Sequence, residues 1–564
     1  MANLFNSIRI KPPKLNRFNM SHDVKLTGKF GKLIPICCLD VLPGDVWKDN
    51  TEILVRFAPM MAPIMHRVNV YTHFFFVPKR LVWDEWKDFI TGGESGTESP
   101  VYPRLRLGSS DSDLFKPGTL ADYLGFPVVD SGKGIHPNNK IQLDALPFRA
   151  YQLIWNEYYR DQNIMDEIDI QKDSSGIVDN FQQKAVLLQL RNRSWQKDYF
   201  TSALPWAQRG DEVQLPLQGT ADLLYDDSKM TVDGGQIDTA FTAEGYAAET
   251  DNLKTVTNGT IASSTGRFLH LGNGSESTPQ NMYVYSSEIK SLIKGVDLST
   301  ASSATINELR RAIKAQEFLE VAARGGSRYI EQIFSYFGVK SSDARLQRPQ
   351  FLGGGKSPVV VSDVLQTSQT TTGKSGSPQA QPAGHAVSVQ RTHSFKFRSE
   401  EHGYIIGIMS IMPKSAYMQG LPRMFTKFDR LDHYWPQFAH LGEQEILNRE
   451  IWLDASQPSL DGDTKTFGYT PRYAEYKFMT DSVHGDFRDS LLFWTMVRKF
   501  SKQPGLNAEF LTNVEDAASR VFALTGTDEN GNPVPESDFD KIWVNIHHNL
   551  TALRKMPKFG TPLF

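Results

Sequence analysis

The longest nearly unbroken apolar pattern is residues 68–77, VNVYTHFFFV, where β-branched and aromatic side chains follow one another with few polar interruptions. A run of this kind predicts a strand covered on both faces, and Pro78, which has no amide hydrogen to give to a ladder, closes it. Shorter strand patterns occupy residues 32–40 and 53–57, separated by the turn residues Leu42, Pro43, Gly44 and Asp45. Strand signals return at 359–361, 394–398, 403–412, 472–478, 491–500 and 542–547, with the tight-turn pair Asn530-Gly531 before the last. Helices are predicted at 81–90, 118–124 and 147–159, and a loop at 91–107. Strands near both ends of the chain, with helices and long loops between them, suit a sandwich whose strands pair across the sequence.

Residues 309–355 combine three signals without a spacer. Thr305 and Glu308 form a T-x-x-E capping box, after which Leu309, Ala312, Ile313, Leu319 and Ala323 recur at helical spacing and predict a face packed on something larger. Gly325-Gly326 breaks this helix, Ser327 is placed to cap a second one running through Phe337, and Gly338 supplies a left-handed end. A basic, Gly-rich loop follows. Two stretches change character: 219–300 is rich in Gly, Ser, Thr, Asn and Asp, and 365–387 in Gln, Thr, Ser, Gly and Pro. Both read as surface insertions, the second as a flexible segment.

The blocks LRRA, ARGGSRYIE, FGV and DARLQRPQFLGGG within 309–355 resemble the major capsid proteins of microviruses, in particular the gokushovirus-like branch. RFAPMMAPIMHRVNVYTHFFFVPKRLVW at 56–83 and FGYTPRYAEYKF at 467–478 extend the resemblance to nearly the whole chain. The resemblance implies a mainly β fold, an eight-stranded antiparallel jelly-roll of viral coat type with large helical and loop insertions. It also implies assembly of identical subunits into a T=1 icosahedral shell around a circular single-stranded DNA genome. Residues 219–300 would then be an outer protrusion, used in host attachment. The expected organisation is a basic arm at 1–32, a first part of the jelly-roll at 33–218, the protrusion, a helix pair and Gly-rich loop at 301–364, the flexible loop at 365–387, and the remaining strands and tail at 388–564. Expected partners are further copies of the chain, viral single-stranded DNA, other virion proteins and a host surface receptor. The expected location is the virion, assembled in the bacterial cytoplasm.

Composition changes this picture little: 40% hydrophobic and 22% charged residues in a 564-residue chain indicate a globular protein with a sizeable core. No apolar stretch approaches the ~20 residues of a membrane helix, and the N-terminus lacks the apolar core of a secretory signal. The only cysteines, Cys37 and Cys38, are adjacent, which suits neither a relaxed disulfide nor a zinc site.

The net charge of −3 conceals a biased distribution. Arg9, Lys11, Lys14, Arg17, Lys25, Lys29 and Lys32 face a single acid, Asp23, across the first 32 residues, with Phe5, Phe18 and Phe30 interleaved. Such an arm can neutralise phosphates and stack on unpaired bases, or it can clamp a neighbouring subunit. Arg554, Lys555 and Lys558 form a second DNA-binding candidate in the tail, while Arg345 and Arg348 suit carboxylates between subunits. Gly353-Gly354-Gly355-Lys356-Ser357 does not make a phosphate loop, because Gln350 stands where the first glycine is required and a strand signal follows. No histidine spacing suits zinc, Asp528, Asn530 and Asn532 lack the rest of a calcium loop, and Asp461-Gly462-Asp463 reads as a turn. No catalytic constellation and no cofactor or metal is expected. A jelly-roll carbohydrate-binding module or glycan-active enzyme is the alternative, distinguished by an aromatic cleft with suitably spaced carboxylates.

Overall fold

The computed structural model describes residues 14–128, 135–136, 141–172, 176–211, 306–326, 328–365, 382–453, 464–522 and 540–559, with short segments between 213 and 297 and at 526–527 and 533–534. The chain is mainly β, in antiparallel sheets with some helices. Two large sheets form its centre. Their strands are β1 (Asn16–Asn19), β2 (His22–Gly28), β3 (Ile34–Val41), β4 (Val46–Phe57), β5 (Val68–Pro78), β6 (Gln350–Pro358), β7 (Val360–Leu365), β8 (Pro382–Arg398), β9 (Gly403–Pro413) and β10 (Ile542–Arg554).

The six-stranded sheet runs β1–β10–β4–β8–β7, with β2 also paired to β10; the four-stranded sheet runs β6–β5–β9–β3. Every one of these pairs is antiparallel. Most join residues hundreds of positions apart: Asn16 lies opposite Arg554, and His22 opposite His548. The sheets face each other across a core that includes Trp47, Ile53, Val55, Val70, Ile405 and Val544. Phe74 meets Phe395 at 4.8 Å between ring centroids and Phe76 meets Phe397 at 4.6 Å. Each such pair adds roughly 0.5–1.5 kcal/mol beyond burial of its area.

The other side of the four-stranded sheet is also covered. Phe75, Val77, Ile406 and Ile408 pack in a second core with Trp83, Leu105, Phe115 and helix α1 (Leu146–Ile154), all nine residues of which are buried. This double covering accounts for the uninterrupted apolar pattern of β5 and for β9, buried at every position. β10 instead alternates: Val544 and Ile546 point into the core, while Trp543, Asn545 and His547 are exposed. The outer face of the six-stranded sheet is therefore open at these positions.

The strand expected at 68–77 is present, and those at 394–398, 403–412 and 542–547 are parts of β8, β9 and β10. Three expectations are corrected. The Gly-rich segment is not a loop but strand β6, at the edge of the four-stranded sheet against β5. Residues 472–478 are not a strand: the strand ends at Pro471, Tyr473 takes a left-handed backbone (φ +59°), and a 3-10 turn covers Ala474–Tyr476. The Tyr473 amide donates to the Gln444 side chain (2.9 Å), which replaces a ladder bond. Residues 491–500 contain a turn at Leu492–Trp494 followed by extended chain, with Met496 and Val497 fully buried; an apolar run identifies burial without identifying a sheet. In addition, residues 382–387, assigned to the flexible segment, belong to β8, while 366–381, Asn530-Gly531 and the Asp461 turn lie outside the described residues.

Helices α2 (Ile306–Gly325) and α3 (Tyr329–Phe337) occupy the predicted places. Gly326 (φ +96°) and Gly338 (φ +66°) adopt the left-handed conformations that the break and the cap require. Arg328 precedes the first turn of α3, where its amide donates to Glu331 (3.1 Å). Ala322 and Ala323 bury the last turn of α2, but Leu309 and Ile313, expected on its packed face, are exposed.

The chain divides into two compact units, residues 1–209 with 320–564, and residues 210–319. In the second unit, Asp222–Tyr225 pairs with Ile293–Asp297, and Phe268–His270 with Asn281–Tyr283, both antiparallel.

Candidate nucleic-acid interface

The two basic segments that are farthest apart in the sequence are neighbours in the sheet. β1 lies alongside the end of β10, and Asn16 Nδ2 donates to the Met556 carbonyl (2.7 Å). Lys14, Arg17, Lys555 and Lys558 are exposed at this junction or immediately beyond it, and Lys25 is exposed on β2. Arg17 reaches the Thr551 hydroxyl (3.4 Å). Arg9 and Lys11 lie outside the described residues.

The remaining basic candidates, Arg345 excepted, are committed within the subunit. Arg554 forms an ion pair with buried Asp45 (3.0 Å), donates to the Asp40 carbonyl (2.7 Å) and stacks 4.7 Å from the Trp47 ring. Lys29 and Lys32 are half-buried near Glu515, and burial holds the Lys32 ammonium below its usual range despite the Glu515 charge. Arg348 packs over Tyr158 (4.3 Å), donates to the Glu157 carbonyl (3.3 Å) and lies 3.5 Å from Asp343. Arg345 is exposed and remains available for contacts outside the chain.

Sequence reasoning missed several basic residues that the register brings onto the same open face. Lys48 on β4 lies directly opposite Lys396 on β8, and Val46 lies opposite Arg398; Lys48, Lys396 and Arg398 are all exposed. At the other end of the face, Arg56 is exposed opposite Trp543, which is 43% exposed. The outward parity of each strand was the available signal, but single lysines in separate strands have no meaning until the pairing is known. Between these ends lies a neutralised region, where Asp23 accepts from His547 (2.6 Å), a bond that holds its carboxyl below the usual carboxylate range. His548 points inward, between Asp49 (3.2 Å) and Thr51 (3.1 Å).

The residues that invited other chemistry have structural surroundings. Among the described residues, no group of three or more His, Cys, Asp or Glu is placed to hold a metal ion. Burial pushes both thiols up, Cys38 to about 12, so neither is prepared as a thiolate. Lys356 is in a strand rather than at the start of a phosphate-binding helix.

A second uncovered surface is apolar. Met424, Phe425, Phe428, Leu431, Tyr434 and Trp435 are exposed, as are Tyr476, Phe478 and Met479, with Phe428 and Met479 each 87% exposed. This surface is ordered. Lys427 binds Glu475 (2.9 Å) and lies over the Tyr476 ring (3.7 Å), while Tyr434 packs on Tyr473 (5.1 Å). Apolar surface that is held in place while open to water marks a contact with another molecule.

An antiparallel two-sheet body with an open basic face and an ordered apolar surface defines an assembly subunit. The chain belongs to the phage capsid protein family: the family model described as Capsid protein (F protein) matches residues 9–564. It is 35% identical to capsid protein VP1 of Chlamydia phage 1 over 612 residues, covering 100% of this chain and 98% of that protein. It is 34% identical to capsid protein VP1 of Bdellovibrio phage phiMH2K over 553 residues (97% and 95% covered), and 29% identical to capsid protein VP1 of Spiroplasma virus 4 over 577 residues (97% and 95%). It is thus a capsid protein, a structural component of a virion that assembles with others into a shell. No described helix is long and apolar enough to cross a membrane.

Proposed function

We propose that this capsid protein forms a closed T=1 icosahedral shell of identical subunits around a circular single-stranded DNA genome. The observation that carries this reading is the family match over residues 9–564, joined to two antiparallel sheets packed face to face. The two sheets are read as an eight-stranded jelly-roll, with β1 and β7 as additions at the margins of the larger one. The surface around Phe428 and Met479 is read as a contact between copies, and the exposed basic residues of both termini as the side turned toward the genome. The segment 219–300 is read as the outer protrusion that meets a host receptor, and Arg345 as a contact with a neighbouring subunit.

Expression of the full chain in a bacterial cytoplasm, followed by electron microscopy of the purified material with the other virion proteins present, tests the shell. Closed particles of one diameter are expected, and persistent small species overturn the reading. Deletion of 219–300 should leave particles that no longer attach to host cells; failure to assemble would remove the protrusion assignment. The carbohydrate-binding alternative is not favoured by relatives that are all capsid proteins.

A further inference from the structure

We propose that the outward face of the six-stranded sheet is itself a binding site for single-stranded DNA, with Lys48 and Lys396 as its phosphate-binding centre and Trp543 as a base-stacking surface. This rests on the reading of the chain as a genome-enclosing subunit, but it moves the principal contact from the basic termini to the sheet.

The starting observation is an apparent fault in the fold. Lys48 and Lys396 are directly opposed residues on adjacent antiparallel strands, both exposed. Side chains so placed begin about 5 Å apart at Cβ, and like charges in that position destabilise a sheet. Exposed lysines at sheet edges discourage pairing with foreign strands. That explanation does not reach Lys48, because β4 is paired on both sides there, with Thr551 of β10 and with Lys396 of β8; Lys396 itself lies beyond the stretch of β8 that pairs with β7. Among the described residues, no carboxylate forms an ion pair with Lys48, Lys396 or Arg398 to relieve the repulsion. A bound anion would remove the conflict.

The surroundings specify which anion. Along the neighbouring row, Arg17 is opposite Leu553, Leu553 opposite Val46, and Val46 opposite Arg398. With strands about 4.8 Å apart and alternate residues about 7 Å apart, two exposed lysines and two exposed arginines lie within an area roughly 14 Å wide. Asn19 and Thr551 add hydrogen-bonding side chains to the Lys48–Lys396 row, and Asn50, Ser394 and Asn549 form the next row along. These rows form a cationic and polar surface, suited to several phosphates in succession rather than to one small anion. Trp543 lies eight residues from Thr551 along β10, roughly 27 Å away, with exposed Arg56 opposite it. An exposed indole beside a cation offers a stacking surface that an unpaired base fits and a paired one does not.

Titration of the purified full-length chain with fluorescein-labelled dT20 at several salt concentrations tests the site. The wild-type chain should bind, with log affinity falling linearly against log salt. K48Q/K396Q should lower the magnitude of that slope by about 1.4, at about 0.7 per lost phosphate contact on a single strand. K340Q/K502Q, which removes the same charge from exposed positions elsewhere, should leave it unchanged. W543L should weaken binding roughly fivefold or more with the slope preserved, because stacking carries no counterion release. The double lysine variant should melt at or above the wild-type temperature, since it relieves repulsion. Absence of dT20 binding by the wild-type chain, or equal slopes for K48Q/K396Q and its charge-matched control, overturns the site. Poly-glutamate binding as tight as dT20 would also overturn it, by assigning the face to an acidic segment of another copy. Electron microscopy of the wild-type chain with the other virion proteins present separates the two readings: particles together with no sheet-dependent DNA binding by the purified chain refute only this site, whereas absence of particles refutes the shell.

Discussion

Arg554 shows how a basic residue in a basic tail can have a structural task. Its guanidinium neutralises Asp45, whose side chain is almost completely buried and also accepts the Leu42 amide (3.1 Å). Replacing Arg554 by Ala leaves that carboxylate buried without its cation, a loss of about 3 kcal/mol. The denaturation midpoint of the R554A chain should fall accordingly, and Arg554→Lys should recover only part of it, because an ammonium cannot also stack on Trp47 as a plane. Glu450 is the opposite case, a buried acid whose environment resists its charge. It accepts from Tyr199 (2.8 Å) and the Leu447 amide (3.0 Å) and meets Arg423 at 3.3 Å, yet burial outweighs these and raises its pKa above the ordinary 4.5. The same contact raises the pKa of Arg423, so the pair favours both charges but does not offset the carboxylate's loss of water. A carboxyl that holds its proton more tightly when folded binds more protons in the native state, so its contribution to stability falls as pH rises above about 4.5. Glu450→Gln retains an acceptor for Tyr199 without the charge. Melting curves from pH 4 to 7 should therefore decline less steeply for E450Q than for wild type, and parallel curves would dismiss this assignment.

At the scale of elements, the glycines of β6 are explained by the strand they pair with. A Cβ at Gly354 would fall well inside contact distance of the Thr72 carbonyl on β5, and Gly353 has a φ of +149° beside the irregularity between Phe351 and Gly353. Gly354→Ala should thus cost about 1–3 kcal/mol as an overpacked site and Gly354→Val more. Faster hydrogen exchange in β6, with little change in β8, would locate the damage. The sequence made this segment conspicuous but not interpretable: three glycines read naturally as a loop, and only the approach of β5 shows why a strand needs them. β5 and β9 were legible because burial on both faces leaves a continuous apolar pattern, and α2 and α3 because Gly326 and Gly338 mark their ends. The turn at Tyr473 was not, since aromatic residues favour strands until a particular partner, here Gln444, captures the backbone amide. The basic site was half legible. Lys14, Arg17 and Lys555 are conspicuous as termini, whereas Lys48, Lys396 and Trp543 acquire meaning only through a register that joins residues several hundred positions apart.

For the whole molecule, the decisive property is the contrast between its surfaces. The outer sheet face is polar and cationic around Lys48 and Lys396, while the surface formed by the segments around Phe428 and Met479 is apolar and held in position by Lys427, Glu475 and the Tyr434–Tyr473 contact. A shell is built from contacts that need not be strong individually, because closure makes each subunit's departure depend on several of them at once. Adding one charge to such a contact is correspondingly severe in the assembly and mild in the subunit: an aspartate at a position 87% exposed disturbs nothing inside the chain, but every copy would have to bury it. F428D and M479D should therefore each leave the stability of the isolated subunit within about 0.5 kcal/mol of wild type and yet suppress particle formation. Sedimentation velocity and electron microscopy on the same samples distinguish the outcomes. Folded subunits that fail to close identify this surface as a contact between copies, whereas normal particles from both variants would place it on the exterior of the shell and leave its apolar side chains for a different partner.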